Sequence, residues 1–267
     1  MEQNNTDTIP DTPAPLPTVR AAEVADIKAA FVAGWSDFRR APLFGLFFGA
    51  FFACGGFAVF WILLQLRQPW WIAPFAVGFP LLGPFAAVGI YDVSRRLNGP
   101  EPLKWGSVLS AVFAERKRQL PSMAFIVLLV FWSWIYQVRT LTALFAGLSP
   151  FSTLDSFVDF ITGSVNGIAY LAVGSVVGAI MALALYTVTV IAIPLLLDKE
   201  LDFMSAIITS IKTVFASPVV MLGWGVVITL LALIGIATAC LGLIVIFPVL
   251  GHATWHLYTR LVVHAQA

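Results

Sequence analysis

Between Lys212 and Arg260 the chain reads TVFASPVVMLGWGVVITLLALIGIATACLGLIVIFPVLGHATWHLYT, residues 213–259, 47 positions without one Asp, Glu, Lys or Arg. A bilayer crossing takes roughly 20 apolar residues at helical rise, so this stretch holds two crossings with a turn between them. Further uncharged intervals lie at 41–66, 68–91, 119–138 and 160–197. The whole chain is 60% hydrophobic and 11% charged, with a mean hydropathy of +0.92, whereas about a quarter of the residues of a soluble domain are charged. The fold class is therefore all-α, a polytopic transmembrane bundle with six spans at about 43–66, 70–93, 121–146, 166–194, 218–237 and 241–262.

The segments between the spans have a pattern of their own. Residues 1–19 are rich in Pro, Thr, Asp and Asn with nothing to bury, and read as a disordered cytoplasmic tail ahead of a six-span membrane domain, 20–263. The opening MEQNNTDTIPDTPAPLPTV has no basic region followed by an apolar one, so the first span is expected to direct insertion. In the helix at about 22–40, Val24, Ile27, Phe31, Trp35 and Phe38 recur every three to four residues, and Glu23, Asp26, Lys28, Asp37, Arg39 and Arg40 supply polar positions. That spacing predicts an amphipathic helix in the interface or against the bundle. Similar helices are expected at about 103–118 and 201–216, and Pro42, Pro121 or Pro218 follows each of the three. The chain reads as three copies of one unit, an amphipathic helix plus a transmembrane hairpin.

Charge sets the orientation. With both termini cytoplasmic, thirteen of the fifteen Lys and Arg lie inside, leaving Arg67 and Arg139 outside, as the positive-inside rule requires. The expected location is a bacterial inner membrane. A net charge of +1 without a basic groove argues against nucleic acid as a partner. Trp70 and Trp71 at the outer end and Trp255 near the inner end fit aromatic belts.

Few residues suggest chemistry. Pro74, Pro80, Pro84, Pro194 and Pro248 fall inside spans and are candidate helix breaks, each freeing a carbonyl that lipid cannot satisfy. Arg139 sits in an apolar span, where it either snorkels to the outer interface or contacts an anion, a lipid or a carboxylate such as Asp155 or Asp159. Asn166, Tyr170, Tyr186 and Gln137 are polar but form no recognisable ion-binding set. Gly45 with Gly49, and Gly174 with Gly178, mark faces for close helix packing. Asp92 with Arg95 and Arg96, and Asp198 with Lys199 and Glu200, read as solvent-facing charge at cytoplasmic helix ends.

His252 and His256, one helical turn apart, are weak candidates for metal ligation. An H-E-x-x-H site needs a glutamate where Ala253 stands, and zinc generally takes three or four protein ligands. Neither a nucleotide loop, a haem attachment motif nor a nucleophile elbow occurs. The two imidazoles read instead as hydrogen-bonding groups where the last span meets the cytoplasmic rim. No cofactor and no catalytic residue is expected.

RAPLFGLFFGAFFACGG (40–56), WWIAPFAVGFPLLGPFAAVGIYDVSRRLNGPEPLKWGSVL (70–109) and FPVLGHATWHLYTRLV (247–262) resemble a family of bacterial integral membrane proteins of unknown function. Some of its members carry a cytochrome c oxidase subunit label. The resemblance implies a membrane bundle without assigned residue roles, and an accessory place beside a respiratory complex would need no cofactor in this chain. The expected role is accessory, scaffolding or membrane-organising, with membrane lipids and other membrane proteins as partners. The alternative is a small-solute or ion transporter built on the proline-broken helices.

Overall fold

The computed structural model describes residues 17–65, 86–147, 151 and 154–263. Eleven helices are described: α1 Val24–Arg40, α2 Pro42–Gln65, α3 at 86–97, α4 Trp105–Ala114, α5 Leu120–Ala146, α6 Leu154–Gly163, α7 Val165–Thr189, α8 Ala192–Asp198, α9 Phe203–Ala216, α10 Pro218–Ala237 and α11 Leu243–Leu261. A two-residue strand β1, Thr18–Val19, pairs antiparallel with β2, Val262–Val263. The two ends of the described chain therefore meet, and the last residues of the expected 1–19 tail are ordered. That backbone pairing joins positions 245 residues apart, which local composition could not reveal.

Among the described residues three helices are long and apolar enough to cross a membrane: α5, the α7–α8 pair taken together, and α10. A fourth results if α1 and α2, bent by 102° at Ala41, form one broken crossing. The expected second span falls mostly on residues outside the described set, and with it Pro74, Pro80, Pro84, Trp70 and Trp71. The expected sixth span coincides with α11, Leu243–Leu261, which is not among these helices. α11 begins apolar, but its second half carries His252, Thr254, His256, Tyr258, Thr259 and Arg260, and most of that half is buried in protein. The segment between α5 and α7 contains the helix α6, whose chain leads into α7 through Ser164, the α7 cap that accepts from the Gly167 amide.

α11 is the pillar of the bundle. Its first half runs along α2, where Phe52 and Phe247 stack with centroids 3.8 Å apart. Its second half runs antiparallel to α1. Both approaches are set by glycine: a Cβ on Gly34 would stand 2.5 Å from the Ala253 amide nitrogen, and one on Gly49 would overlap the Ile244 carbonyl. Pro248 does not break α11, which continues through it. Proline has no N–H for the carbonyl four residues back, here Ile244. That freed carbonyl lies directly against the Gly49 α-carbon, a close approach that suits a weak Cα–H···O contact.

A real interruption occurs between α7 and α8 at residues 190–191, ahead of Pro194. Ser210 of α9 closes it. Its hydroxyl accepts from the Ile191 amide at 3.2 Å and donates to the Thr187 carbonyl at 2.7 Å, taking the place of the Ile191-to-Thr187 bond of a continuous helix.

The short helices bury small, polar and apolar residues together: Phe38 of α1 and Ile207 and Val214 of α9 lie inside, and Ile27 and Phe31 pack partly against the core. On α1 the buried residues are Asp26, Ala30, Gly34, Asp37 and Phe38, while Val24, Val32 and Trp35 are exposed. On α9 the buried set includes Ala206, Thr209, Ser210 and Thr213, and Phe215 is 71% exposed. In an apolar solvent small and polar residues gain most from facing protein, whereas bulky apolar ones lose nothing outside. The Gly45–Gly49 face packs within the chain, as does Gly178 against Trp134 between α5 and α7.

We expect Gly49→Ala to lower the stability of the purified protein by about 1–3 kcal/mol, since the colliding atoms are backbone. Gly223→Ala, where an added Cβ meets nothing within 4 Å, should leave the detergent melting temperature unchanged.

Candidate functional site

Polar side chains gather at one end of the bundle, around the C-terminal end of α3. Within DVSRRLNGPE, residues 92–101, one helical turn presents groups to several neighbours at once. Asp92 is completely buried. It accepts from Arg95 Nη2 at 2.7 Å and Nε at 3.0 Å, and from Arg96 Nε at 2.6 Å. Both arginines reach on to Glu101, Arg96 at 2.8 Å and Arg95 at 3.5 Å. The expectation that Asp92 is solvent-facing is therefore corrected: spacings of three and four place both cations over one carboxylate, which lets it leave water.

Ser94 and Asn98 extend the cluster toward α1 and α11. Ser94 Oγ lies 2.7 Å from His252 Nδ1, and both residues are fully buried. Asn98 Nδ2 donates to Asp37 Oδ2 at 3.1 Å, and the same oxygen lies 2.7 Å from His256 Nε2. Arg40 approaches the other Asp37 oxygen at 3.5 Å and also donates to the Leu97 carbonyl at 3.0 Å. The histidines thus occupy the junction of three helices. Trp255, expected in an aromatic belt, is buried and stacks with Tyr91. Nearby, Tyr258 donates to Asp198 Oδ2 at 2.8 Å, tying α11 to the end of α8.

A Ser–His–Asp relay needs one imidazole between the hydroxyl and the carboxylate. Here Ser94 pairs with His252, and Asp37 with His256. No single imidazole therefore lies between the Ser94 hydroxyl and the Asp37 carboxylate. Among the described residues no group of three His, Cys, Asp or Glu side chains is placed to hold a metal ion. His252 Nε2 and Trp224 Nε1 are buried without a hydrogen-bond partner among the described residues.

Glu115, in the 3-10 turn Glu115–Lys117 after α4, is nearly buried and pairs with Arg118, which also donates to the Lys199 carbonyl at 3.2 Å. Burial pushes the Glu115 carboxyl above its ordinary range, although Arg118 pulls it back. Arg139, singled out in the sequence, is exposed on α5 and forms no ion pair among the described residues. Pro194 and Pro248 lie at the helix interruption and beside Gly45, away from Arg139 in the chain's packing. Asp37 and Ser94 were missed because each looks like an ordinary polar residue of its own helix. Only pairing with helices distant in sequence exposes their role.

Asp92→Asn should destabilise the protein by about 1–3 kcal/mol, because Arg95 and Arg96 lose the buried carboxylate they share and keep only Glu101 as a charge partner; thermal unfolding in detergent measures it. Glu115 gives the opposite sign. The folded state binds its proton more readily than the unfolded state, so stability falls as pH rises from the ordinary carboxylate range through the raised one. Glu115→Gln should therefore melt at or above wild type at neutral pH, and this advantage should shrink on acidification.

Comparison with known proteins places part of this architecture. The comparisons with curated proteins and with solved structures each found no match. Residues 72–198 match the family described as predicted integral membrane protein (DUF2189). That segment contains the Asp92–Glu101 cluster, Glu115 and Asp198, while Asp37, His252 and His256 lie outside it. Over residues 72–198 the chain is thus similar to this family of predicted integral membrane proteins.

Proposed function

We propose that this protein is a non-enzymatic accessory or membrane-organising component of a bacterial inner membrane, with both termini in the cytoplasm. The observation that carries this reading is the direction in which its groups face. Charged and hydroxyl side chains of α1, α3, α9 and α11 are closed on one another inside, while bulky apolar residues such as Val32 and Trp35 of α1 and Met204 and Phe215 of α9 are exposed beside Lys28, Arg39 and Lys212. Such a molecule acts through the faces it offers to lipid and to other membrane proteins. The meeting of β1 and β2 supports termini on one side, and the excess of Lys and Arg in the segments joining the spans supports the cytoplasm as that side. The amphipathic helices preceding α2, α5 and α10, each with proline in the first turn of the next helix, support an internally repeated construction.

One observation favours transport as a second reading. A cavity of about 460 Å³ lies beside the α7–α8 interruption and is lined by Tyr91, Tyr186, Thr189 and Thr254 among apolar residues. A water path to it would suit a transporter.

Both readings are separated by one preparation. Mild extraction of the tagged full-length protein from its native membrane should retain a stoichiometric membrane protein partner, a respiratory complex being the first to look for. Recovery of the protein alone in several mild detergents sinks the accessory reading. Labelling of a Thr254→Cys variant in intact membranes by a water-soluble maleimide would favour transport instead.

A further inference from the structure

A second apolar space lies on the outside of the bundle, between α1, α10 and α11. It is a trough of about 620 Å³ whose walls include Phe31 and Val32 of α1, Leu231 of α10, and Val245 and Val249 of α11. At one place it has a different character. Arg39 lines it together with Ser36, one turn earlier on α1, and Trp35. No carboxylate lines the trough.

Arg39, like Arg139 and Arg260, has no ion pair among the described residues, and its place in the trough sets it apart. Arg20 pairs with Asp26, Arg40 with Asp37, Arg95 and Arg96 with Asp92 and Glu101, and Arg118 with Glu115. Arg39 is exposed and has no hydrogen bond or ion pair among the described residues, and the Ser36 hydroxyl has no described partner either. A cation with a free fork of donors, a hydroxyl three residues away and an indole therefore meet at the mouth of an apolar trough.

We propose that this trough binds one anionic phospholipid, with an acyl chain along Phe31, Leu231 and Val249 and the headgroup phosphate on Arg39 and Ser36. Guanidinium matches phosphate by two parallel donors. A choline or ethanolamine headgroup brings an additional cation, and no carboxylate in the trough receives it. A glycerol headgroup brings none, so the charge balance selects a phosphatidylglycerol-type anionic lipid. The proposal rests on the chain's residence in a membrane and stands whether or not a protein partner is found.

The test is native mass spectrometry of the delipidated full-length protein titrated with phosphatidylglycerol or phosphatidylcholine. Wild type should hold one phosphatidylglycerol about five-fold more tightly than phosphatidylcholine, the size expected of one basic residue at a membrane surface. Arg39→Gln should bring the two lipids to parity. Leu231→Trp, which fills the trough, should reduce the occupancy of both. Arg260→Gln, at an exposed arginine outside the trough, should keep the wild-type preference. Equal binding of the two lipids by wild type overturns the proposal, as does an undiminished preference in Arg39→Gln. Retention of inorganic phosphate at Arg39 with no lipid bound overturns the lipid assignment.

Discussion

A backbone carbonyl surrounded by hydrocarbon must find a donor within the protein, and this constraint governs how the helices meet. Pro248 withdraws the donor from Ile244, and Gly49 brings its α-carbon against the exposed oxygen. At the α7–α8 interruption the Ser210 hydroxyl both accepts and donates, filling the gap in the ladder. The first solution needs a residue without a side chain and the second needs a short hydroxyl. The packing face of α9 accordingly carries Ala206, Thr209, Ser210 and Thr213 beside Ile207 and Val214, and that of α2 sets its close-packed glycines among the buried Phe44, Phe48 and Phe52.

How local each feature is decides what was readable in the sequence. Uncharged length identified α5, α7 and α10 closely, because a span depends on local composition alone. The amphipathic character of α1 and α9 was also visible, and Phe38 and Ile207 of their apolar stripes are buried. The small and polar residues that share those buried faces, Ala30, Gly34 and Asp37 on α1 and Thr209 and Ser210 on α9, carry no periodic apolar signal. The pairing of the α11 histidines with α3 and α1 was not visible, because the partners Ser94 and Asp37 lie more than 150 positions away.

The polar cluster was legible only in part. Asp92 followed by arginines at three and four residues is a local pattern, and its internal pairing follows from helical geometry. The connections from Ser94 to His252 and from Asn98 through Asp37 to His256 cross three elements and leave no periodic trace. Histidines four apart suggested a shared ligand, whereas the structure gives each a different partner on a different helix. One turn of separation rotates the second imidazole by about 40° from the first, enough for His252 to meet α3 and His256 to meet α1.

The segment 92–101 therefore acts as a junction whose sequence already contains half of each interaction. It supplies both members of the Asp92–arginine cluster, so that part can form from α3 and its following loop alone. It supplies one member of each pair with α1 and α11, so those pairs form only after the ends of the chain have come together. Strand β1 with β2 and the bond from the Ala22 amide to Ser217 Oγ at 2.6 Å perform that closure at the same end of the molecule. Without it, α1 would have no reason to turn Asp37 away from water. With it, the carboxylate is held between Asn98 and His256, and the apolar face carrying Val32 and Trp35 is left pointing outward. The internal pairing of charge and the external display of apolar surface are two results of one docking event.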